Sequence, residues 1–597
     1  MALDQAEVDF DPLSDVAASR RALTIRALGT GVVLAGLLSL CNVYSGLKIG
    51  WGFNMSITSA LLAFAFWNGM ASLGAGARMG LHENVVNQTG ASAGANISSA
   101  GLVAPIPALA FLTGQTLPVG WLIIWVLVVA WVGVVVGIGL RRPMIVEEDL
   151  PFPLGRATAE TVREMYARGQ EAMARVKGLL SAAGVAAVVK LVVSVFKIGK
   201  AGVPGTITLS SGTAVSLKSL TFAFDPSFFL FAVGFLTKPK VGFSMLLGAV
   251  VGFGVLTPVA MDAGHVATGP EGKMWFRSIN EFLLWPGVSM MVASALTSFV
   301  FMVPSLLRAF RPRRGAAAAD DEADPVSGRA FTTAFVLVGA VSVALQIYLF
   351  SIGLVAASIG VLLTFLLAIV AGRVSGETGI TPVGPMGKVT QLAFGLIAPG
   401  QAAANLMTAN VTGGAASQVG DMLHDLKTGQ LLGSVPRHQF IAQAVGVIGG
   451  AVVGSTVYLL LIPDPTAQLF TEQWPAPAAA QWRGVAELMV EGIESLPAGA
   501  LSAAVWAGGI AVALSLLERL APPTIANSIP SASAAGLAMV IPAYYAISIF
   551  IGTLVFMTIR RYAPAWTQRF AVVLASGLIA GESLMGISVA LVRIAQG

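Results

Sequence analysis

Charge is scarce in this sequence. Of its 597 residues only 11% are Asp, Glu, Lys or Arg, against roughly 25% in an average soluble domain. The shortfall runs the whole length of the chain, which excludes a water-covered globular fold: most residues must face lipid or one another. Cysteine is nearly absent. Cys41 stands alone, so no disulfide can close within the chain, no thiolate cluster can bind a metal, and its role is packing. No HExxH string and no Walker A loop occurs, which removes the commonest zinc-hydrolase and nucleotide-driven chemistries. Basic residues are missing from the first nineteen positions, which carry Asp4, Glu7, Asp9, Asp11 and Asp15. That is the reverse of a secretory signal.

What is present is apolar. Hydrophobic residues make up 56% of the chain, and the mean hydropathy is +0.80. Unbroken apolar runs occupy 122–140, 241–259, 331–370 and 541–559. A helix needs about 20 such residues to cross the hydrocarbon core, so each run can span, and the third is long enough to fold back as two. Unpaired backbone groups are not tolerated in lipid, which leaves helices or a closed barrel. Barrel strands alternate in short segments, and these runs do not. The fold class expected is an all-α polytopic membrane protein with about 14–16 transmembrane helices, broken or re-entrant segments among them.

Charge placement sets the topology. Arg20, Arg21 and Arg26 precede the first apolar run, and further basic clusters stand at Arg141–Arg142, in 163–177, at Lys238/Lys240, Arg308–Arg314, Arg437 and Arg560–Arg561. The positive-inside rule places these in the cytoplasm, together with the N-terminus. Segments 262–281 and 463–495 are acidic and carry Trp275, Trp474 and Trp482, which suits the external headgroup layer. The stretch 150–177 reads either as a cytoplasmic amphipathic helix or as part of a span. The charged, alanine-rich segment 311–329 is a linker. It divides the chain into a cytoplasmic tail (1–26), a first membrane repeat (27–310), the cytoplasmic linker (311–329) and a second membrane repeat (330–597).

The two halves are related. Pro226, Ser227, Ser244 and Gly248 match Pro530, Ser531, Ser548 and Gly552 without a gap. The string from Gly287 pairs with that from Gly581, and Asn84-Val85 and Gly94 align with Asn410-Val411 and Gly420. Three pairings in the same order point to duplication, as in secondary transporters. If the N-terminus and the linker are both cytoplasmic, each half has an even number of spans and the repeat is parallel; one more or one fewer helix makes it inverted.

Four segments at hydrophobic depth are too polar for lipid-facing helices: 42–54, 82–99, 376–391 and 405–425. Their glycines permit unwinding, and the ends of broken helices offer free N–H and C=O groups to ions. Polar groups at this depth usually face an aqueous cavity. The candidate solute-binding residues are Asn42, Tyr44, Lys48, Asn84, Asn87, Gln88, Thr378, Lys388, Gln391, Asn410, Ser417 and Gln418. The candidate proton-coupling carboxylates are Glu83 first, then Asp421, with Glu377 and Glu582. The competing readings are interhelical packing by small residues, interhelical hydrogen bonding by hydroxyls and amides, and snorkelling of Lys48.

The strings NVYSGLKIGWGFNMSI, HENVVNQTGASAGANI, LPFPLGRATAETV, GETGITPVGPMGKVTQLAFG, VTGGAASQVGDMLHDLKTGQLLGSVPRHQFIAQ, IPSASAAGLAMVIPAYYAISIFIG and ASGLIAGESLMG resemble signatures of the oligopeptide-transporter (OPT) family, in family order from about residue 30 onward. Within it the chain is most similar to the prokaryotic and yellow-stripe-like branch. The Asn-Pro-Gly and Lys-Ile-Pro-Pro-Arg motifs of the eukaryotic peptide branch are absent. The resemblance implies a proton-coupled symporter, not an enzyme, that imports peptides or metal complexes of amino-acid-derived chelators. It implies no cofactor and no resident metal; a chelated metal arrives with its coordination sphere filled. The partners are a small-molecule solute, protons and the bilayer, with self-association left open and no nucleic acid. The membrane expected is a bacterial inner (plasma) membrane. A solute channel or uncoupled facilitator remains a rival, since a pore-lining ring would serve it; an intramembrane enzyme is a second.

Overall fold

The computed structural model describes residues 16–167, 169–309 and 328–596. Most of the linker 311–329 and the first fifteen residues of the tail lie outside them. Among the described residues eleven helices are long and apolar enough to cross a membrane. The long run at 331–370 does fold back as two helices, Gly328–Phe350 and Leu354–Thr378, turning at Ser351 with a φ of 55°. The ambiguous stretch 150–177 divides. Pro153–Ala167 is amphipathic and buries Gly155, Thr158, Ala159, Val162 and Met165 along one face, whereas Gly169–Val195 is a full span. Among the described residues sheet is confined to two short antiparallel ribbons, Ala201–Gly202 with Ala223–Phe224 and Thr206–Thr208 with Ala214–Ser216.

The two halves run through the same succession of elements. In the first, Ile25–Ile49 is followed by Ser56–Ser72, Leu81–Ala95, Val119–Gly139, Pro153–Ala167 and Gly169–Val195. In the second, Leu354–Thr378 leads to Val383–Ile397, Ala402–Leu431, Pro436–Leu461, Pro477–Glu491 and Ala500–Leu520. Both then form a nine-residue helix, Phe228–Leu236 or Ala532–Val540. In each, the side chain of the N-cap serine, Ser227 or Ser531, accepts a bond from the backbone N–H three residues on. After a break at proline each resumes as a span, Pro239–Asp262 or Ala543–Tyr562. Phe276–Ala309 and Pro564–Ala595 close the halves.

Packing between the halves is reciprocal. Helix 169–195 lies along 564–595, and 500–520 lies along 276–309; likewise 81–95 meets 436–461, and 402–431 meets 119–139. Small residues let the backbones touch. A Cβ on Gly446 would stand 2.0 Å from the carbonyl oxygen of Gly90, and one on Gly450 would stand 2.1 Å from that of Gly94. Two facing Gly-xxx-Gly stretches therefore bring helices 81–95 and 436–461 together without intervening side chains.

Helix 402–431 is the axis of the fold. Every residue from Ala404 to Gly429 is buried, although the helix is too polar to count among the eleven apolar spans. A helix buried on all faces is ordinarily hydrophobic all round. This one instead carries Asn410, Thr412, Ser417, Gln418, Asp421, His424 and Asp425, so its polar groups must be satisfied by neighbours or face a cavity.

Candidate solute cavity

Two helix ends define a central cavity. Helices 25–49 and 354–378 both stop at a left-handed glycine, Gly50 (φ 75°) and Gly379 (φ 77°), whose N–H caps the carbonyl four residues back. Only glycine adopts that conformation without steric cost. Beyond these caps the chain is unwound, through Trp51–Met55 in one half and Ile380–Thr381 in the other. The two unwound stretches face each other across a cavity of about 490 Å3. Ser92 and Asn96 line it from the first half, Ser417, Asp421 and His424 from helix 402–431, and Gln481 and Trp482 from helix 477–491.

The first unwound stretch is held by Asn42. Its side chain donates to the carbonyls of Phe53 and Ala95, each at 3.0 Å, and accepts from the Phe53 N–H at 2.9 Å. Asn42 therefore shapes the wall. On the opposite side Ser375 Oγ donates to Thr381 Oγ1 at 2.8 Å.

Two carboxylates sit one helical turn apart. Asp421 Oδ1 accepts from Ser92 Oγ at 2.8 Å, and Asp425 Oδ1 accepts from Ser56 Oγ at 3.3 Å. The second oxygen of each is buried and has no hydrogen-bond partner, as is Nε2 of His424 between them. Neither acid forms a salt bridge among the described residues. No group of three or more His, Cys, Asp or Glu placed to hold a metal ion occurs among those residues. The string Gly90-Ala-Ser-Ala-Gly94 has the spelling of a hydrolase nucleophile elbow. That device needs a strained strand-to-helix turn, whereas Ser92 lies within helix 81–95 and donates to a carboxylate.

The sequence profile of the family described as "OPT oligopeptide transporter protein" matches residues 22–593. The chain belongs to the OPT family. Among curated relatives, the Saccharomyces cerevisiae protein named "Putative oligopeptide transporter YGL114W" is 26% identical, over 95% of this chain and 95% of its own length. Two rice (Oryza sativa subsp. japonica) proteins, "Probable metal-nicotianamine transporter YSL9" and "Probable metal-nicotianamine transporter YSL5", are 26% and 25% identical. They align with 97% and 96% of this chain and cover 90% and 94% of their own lengths. An OPT chain of this kind is an integral membrane transporter of small solutes and not an enzyme. The yellow-stripe-like affinity holds; the prokaryotic affinity expected from the motifs is not borne out, because these relatives come from yeast and rice.

Against the OPT cavity, the candidate residues sort into three groups. Ser417 and Asp421 line it. A second group bonds to protein groups away from the cavity. Asn84 donates to the Ala60 carbonyl, Gln418 donates to the Ala93 carbonyl and Asn410 accepts from Trp125 at 2.7 Å, each joining two helices. Asn87 and Gln88 donate within their own helix, to Asn84 and Thr89, and each keeps a buried side-chain oxygen without a hydrogen-bond partner. Thr378 bonds within its own last turn. Lys388 is fully buried behind the cavity wall. Its Nζ donates to Gln391 at 2.8 Å and stands 4.2 Å from the ring centre of Trp482, and Gln391 in turn donates to Asn405 and to the Trp482 carbonyl.

The third group lies elsewhere. Glu83, the carboxylate favoured from sequence, is removed from the cavity. It forms a two-pronged ion pair with Arg26, accepts from Thr24 and caps the Gly80 N–H, so it is a helix-end clamp. Glu377 pairs with Arg373, which also grips Glu148. Glu582 accepts from Ser227 Oγ and the Phe229 N–H, which ties it to the start of helix 228–236, with Lys190 at 3.7 Å. Tyr44 and Lys48 belong to that neighbourhood: the Lys48 ammonium sits among the rings of Tyr44, Trp474 and Tyr545 at 5.3–5.8 Å. Residues that sequence reasoning missed are Gln481 and Trp482. They lie in 463–495, a stretch assigned wholly outside, yet helix 477–491 buries Trp482 in the protein core. The alanine-rich face of that helix was the available signal.

Proposed function

We propose that this OPT chain is a proton-coupled secondary importer of small peptides or metal chelates of amino-acid-derived ligands. It works in a plasma membrane, the inner one if the host is bacterial, with its N-terminus in the cytoplasm. Solute and proton meet in the cavity walled by Asp421. The observation that carries this reading is the pair of buried carboxyls one turn apart, each with an unpartnered oxygen and neither in a salt bridge among the described residues. Burial favours the neutral, proton-bound form of a carboxyl, and two neighbouring carboxylates oppose each other's ionisation. On this reading the pair is the place where a proton is exchanged when water or a cationic group of the solute reaches it. The cargoes in the relatives' names are built from amino acids, so they carry amines and carboxylates together. Unwound backbone, hydroxyls, amides and a carboxyl suit such amphoteric solutes.

The same reading takes 27–310 and 330–597 as a duplication whose halves move against each other. It is supported by the matched glycine caps, the matched nine-residue helices and the reciprocal packing. The test is uptake into proteoliposomes under an imposed pH gradient, with a dipeptide and nickel–nicotianamine as probes. Wild type accumulates at least one probe when the outside is acidic. Asp421→Asn loses gradient-driven accumulation but retains counterflow exchange. Gradient-driven accumulation by Asp421→Asn at the wild-type level defeats the assignment.

A further inference from the structure

Helix 477–491 has two working faces. Gln481 and Trp482 look into the central cavity, while Arg483 and Glu487 turn to a separate pocket of about 300 Å3. The first turns of helix 276–309 form its far wall with Arg277, Asn280 and Glu281, and Phe111 lies across it. The pocket is thus lined by two guanidiniums and two carboxylates. The Arg483 guanidinium is stacked 4.2 Å from the Phe111 ring centre and bonded to Glu487 at 3.0 Å, which fixes its plane. Arg277 and Glu281 are exposed and make no ion pair or hydrogen bond among the described residues. Asn280 is only 4% exposed, and its Oδ1 is buried without a hydrogen-bond partner.

A buried amide oxygen without a partner is costly, about 1–3 kcal/mol, and a wall that holds unpaired charges of both signs is suited to a molecule that also carries both. Fixed guanidinium planes bind carboxylates in two-pronged fashion, and a carboxylate with an amide oxygen takes up an ammonium. The volume lies at the low end for small-molecule sites. It accommodates one small solute or one end of a larger one.

We propose that this pocket is a second, outer binding site for solutes that bear both carboxylate and ammonium groups, an antechamber one helix away from the central cavity. Its place at the acidic, tryptophan-bearing segments 262–281 and 463–495 puts it on the external side. This rests on the orientation and cargo class proposed above. A solute held there is delivered across helix 477–491 without first returning to bulk solution.

The experiment uses the full chain in lipid nanodiscs and proteoliposomes, with nickel–nicotianamine and dialanine as probes. Equilibrium binding is expected to give two molecules of one probe per chain in wild type and one in Arg277→Gln/Arg483→Gln. In transport, the variant is expected to raise the half-saturating concentration by about ten-fold, the size of one lost charge-assisted hydrogen bond, with maximal rate within two-fold. If Arg483→Gln impairs folding, Arg277→Gln alone, at an exposed and unpartnered residue, is expected to give the same direction of change. One molecule per chain in both wild type and variant overturns the antechamber and leaves the central cavity standing. No binding to wild type defeats both readings. A variant that lowers the maximal rate without moving half-saturation also overturns it, since that marks a structural role.

Discussion

Helices 81–95 and 402–431 occupy equivalent places in the two halves, yet they differ in chemistry. When Asn84 is matched to Asn410 and Gly94 to Gly420, Asp421 falls opposite Ala95, and Asp425 opposite Ser99. The first-half helix contributes only hydroxyls and amides to the cavity, through Ser92 and Asn96. It loosens into a 3-10 turn at Asn96–Ala100, whereas its counterpart runs unbroken for 30 residues. The scaffold is shared and the ionisable chemistry sits on one side. Under the proposed function, such an arrangement gives a near-symmetric framework that can rock, with a single proton-carrying wall.

The strongest way to break this comparison is to remove the acid from that wall. Asp421→Asn is expected to abolish pH-driven accumulation, with counterflow preserved, in reconstituted vesicles. If the carboxyl can instead be supplied from the first half, Ala95→Asp in the Asp421→Asn background should restore coupling; failure to do so sharpens the asymmetry. A second test addresses the seam. Gly446→Val is expected to destabilise by about 1–3 kcal/mol or more, as overpacking does, read as a lower melting temperature in detergent. No such crowding arises at Gly29, where no heavy atom lies within 4 Å of an added Cβ, so Gly29→Ala should leave the melting temperature near wild type. Third, Glu83→Gln is expected to cost about 1 kcal/mol through loss of its ion pair and cap, while pH-driven uptake stays at the wild-type level. Loss of coupling in Glu83→Gln would move the proton site to the helix end. The smallest effect is expected from Ser92→Ala, which removes one hydrogen bond from Asp421. It should shift the pH at which uptake is half-maximal while leaving maximal transport and folding in place.

Much of the architecture could be read from run length alone, including the turn that splits 331–370. The cavity draws its lining from all four polar segments: 50–54, Ser92, Asn96, 379–381, Ser417, Asp421 and His424 fall within them. The individual residues were harder. Long amides such as Asn84, Gln391 and Gln418 attract notice because lipid cannot satisfy them, but another helix can, and here it does. Sequence does not distinguish a polar group facing a helix from one facing a cavity a quarter-turn away. The ion pair of Glu83 was hidden for a related reason. Its partner Arg26 lies 57 positions earlier, so the ion pair becomes visible only when helices 25–49 and 81–95 are placed side by side.

The bare contact at Gly90 and Gly446 has a mechanical consequence. Interlocked side chains make a surface rough: to slide, each must leave one groove and find the next, and the energy rises between. Where main chain meets main chain over two successive turns, there are no rotamers to reset. Small displacements of one half along the other then meet a smooth profile, as on a bearing. Any side chain added there would act as a brake, even where it left both ends of the journey equally stable.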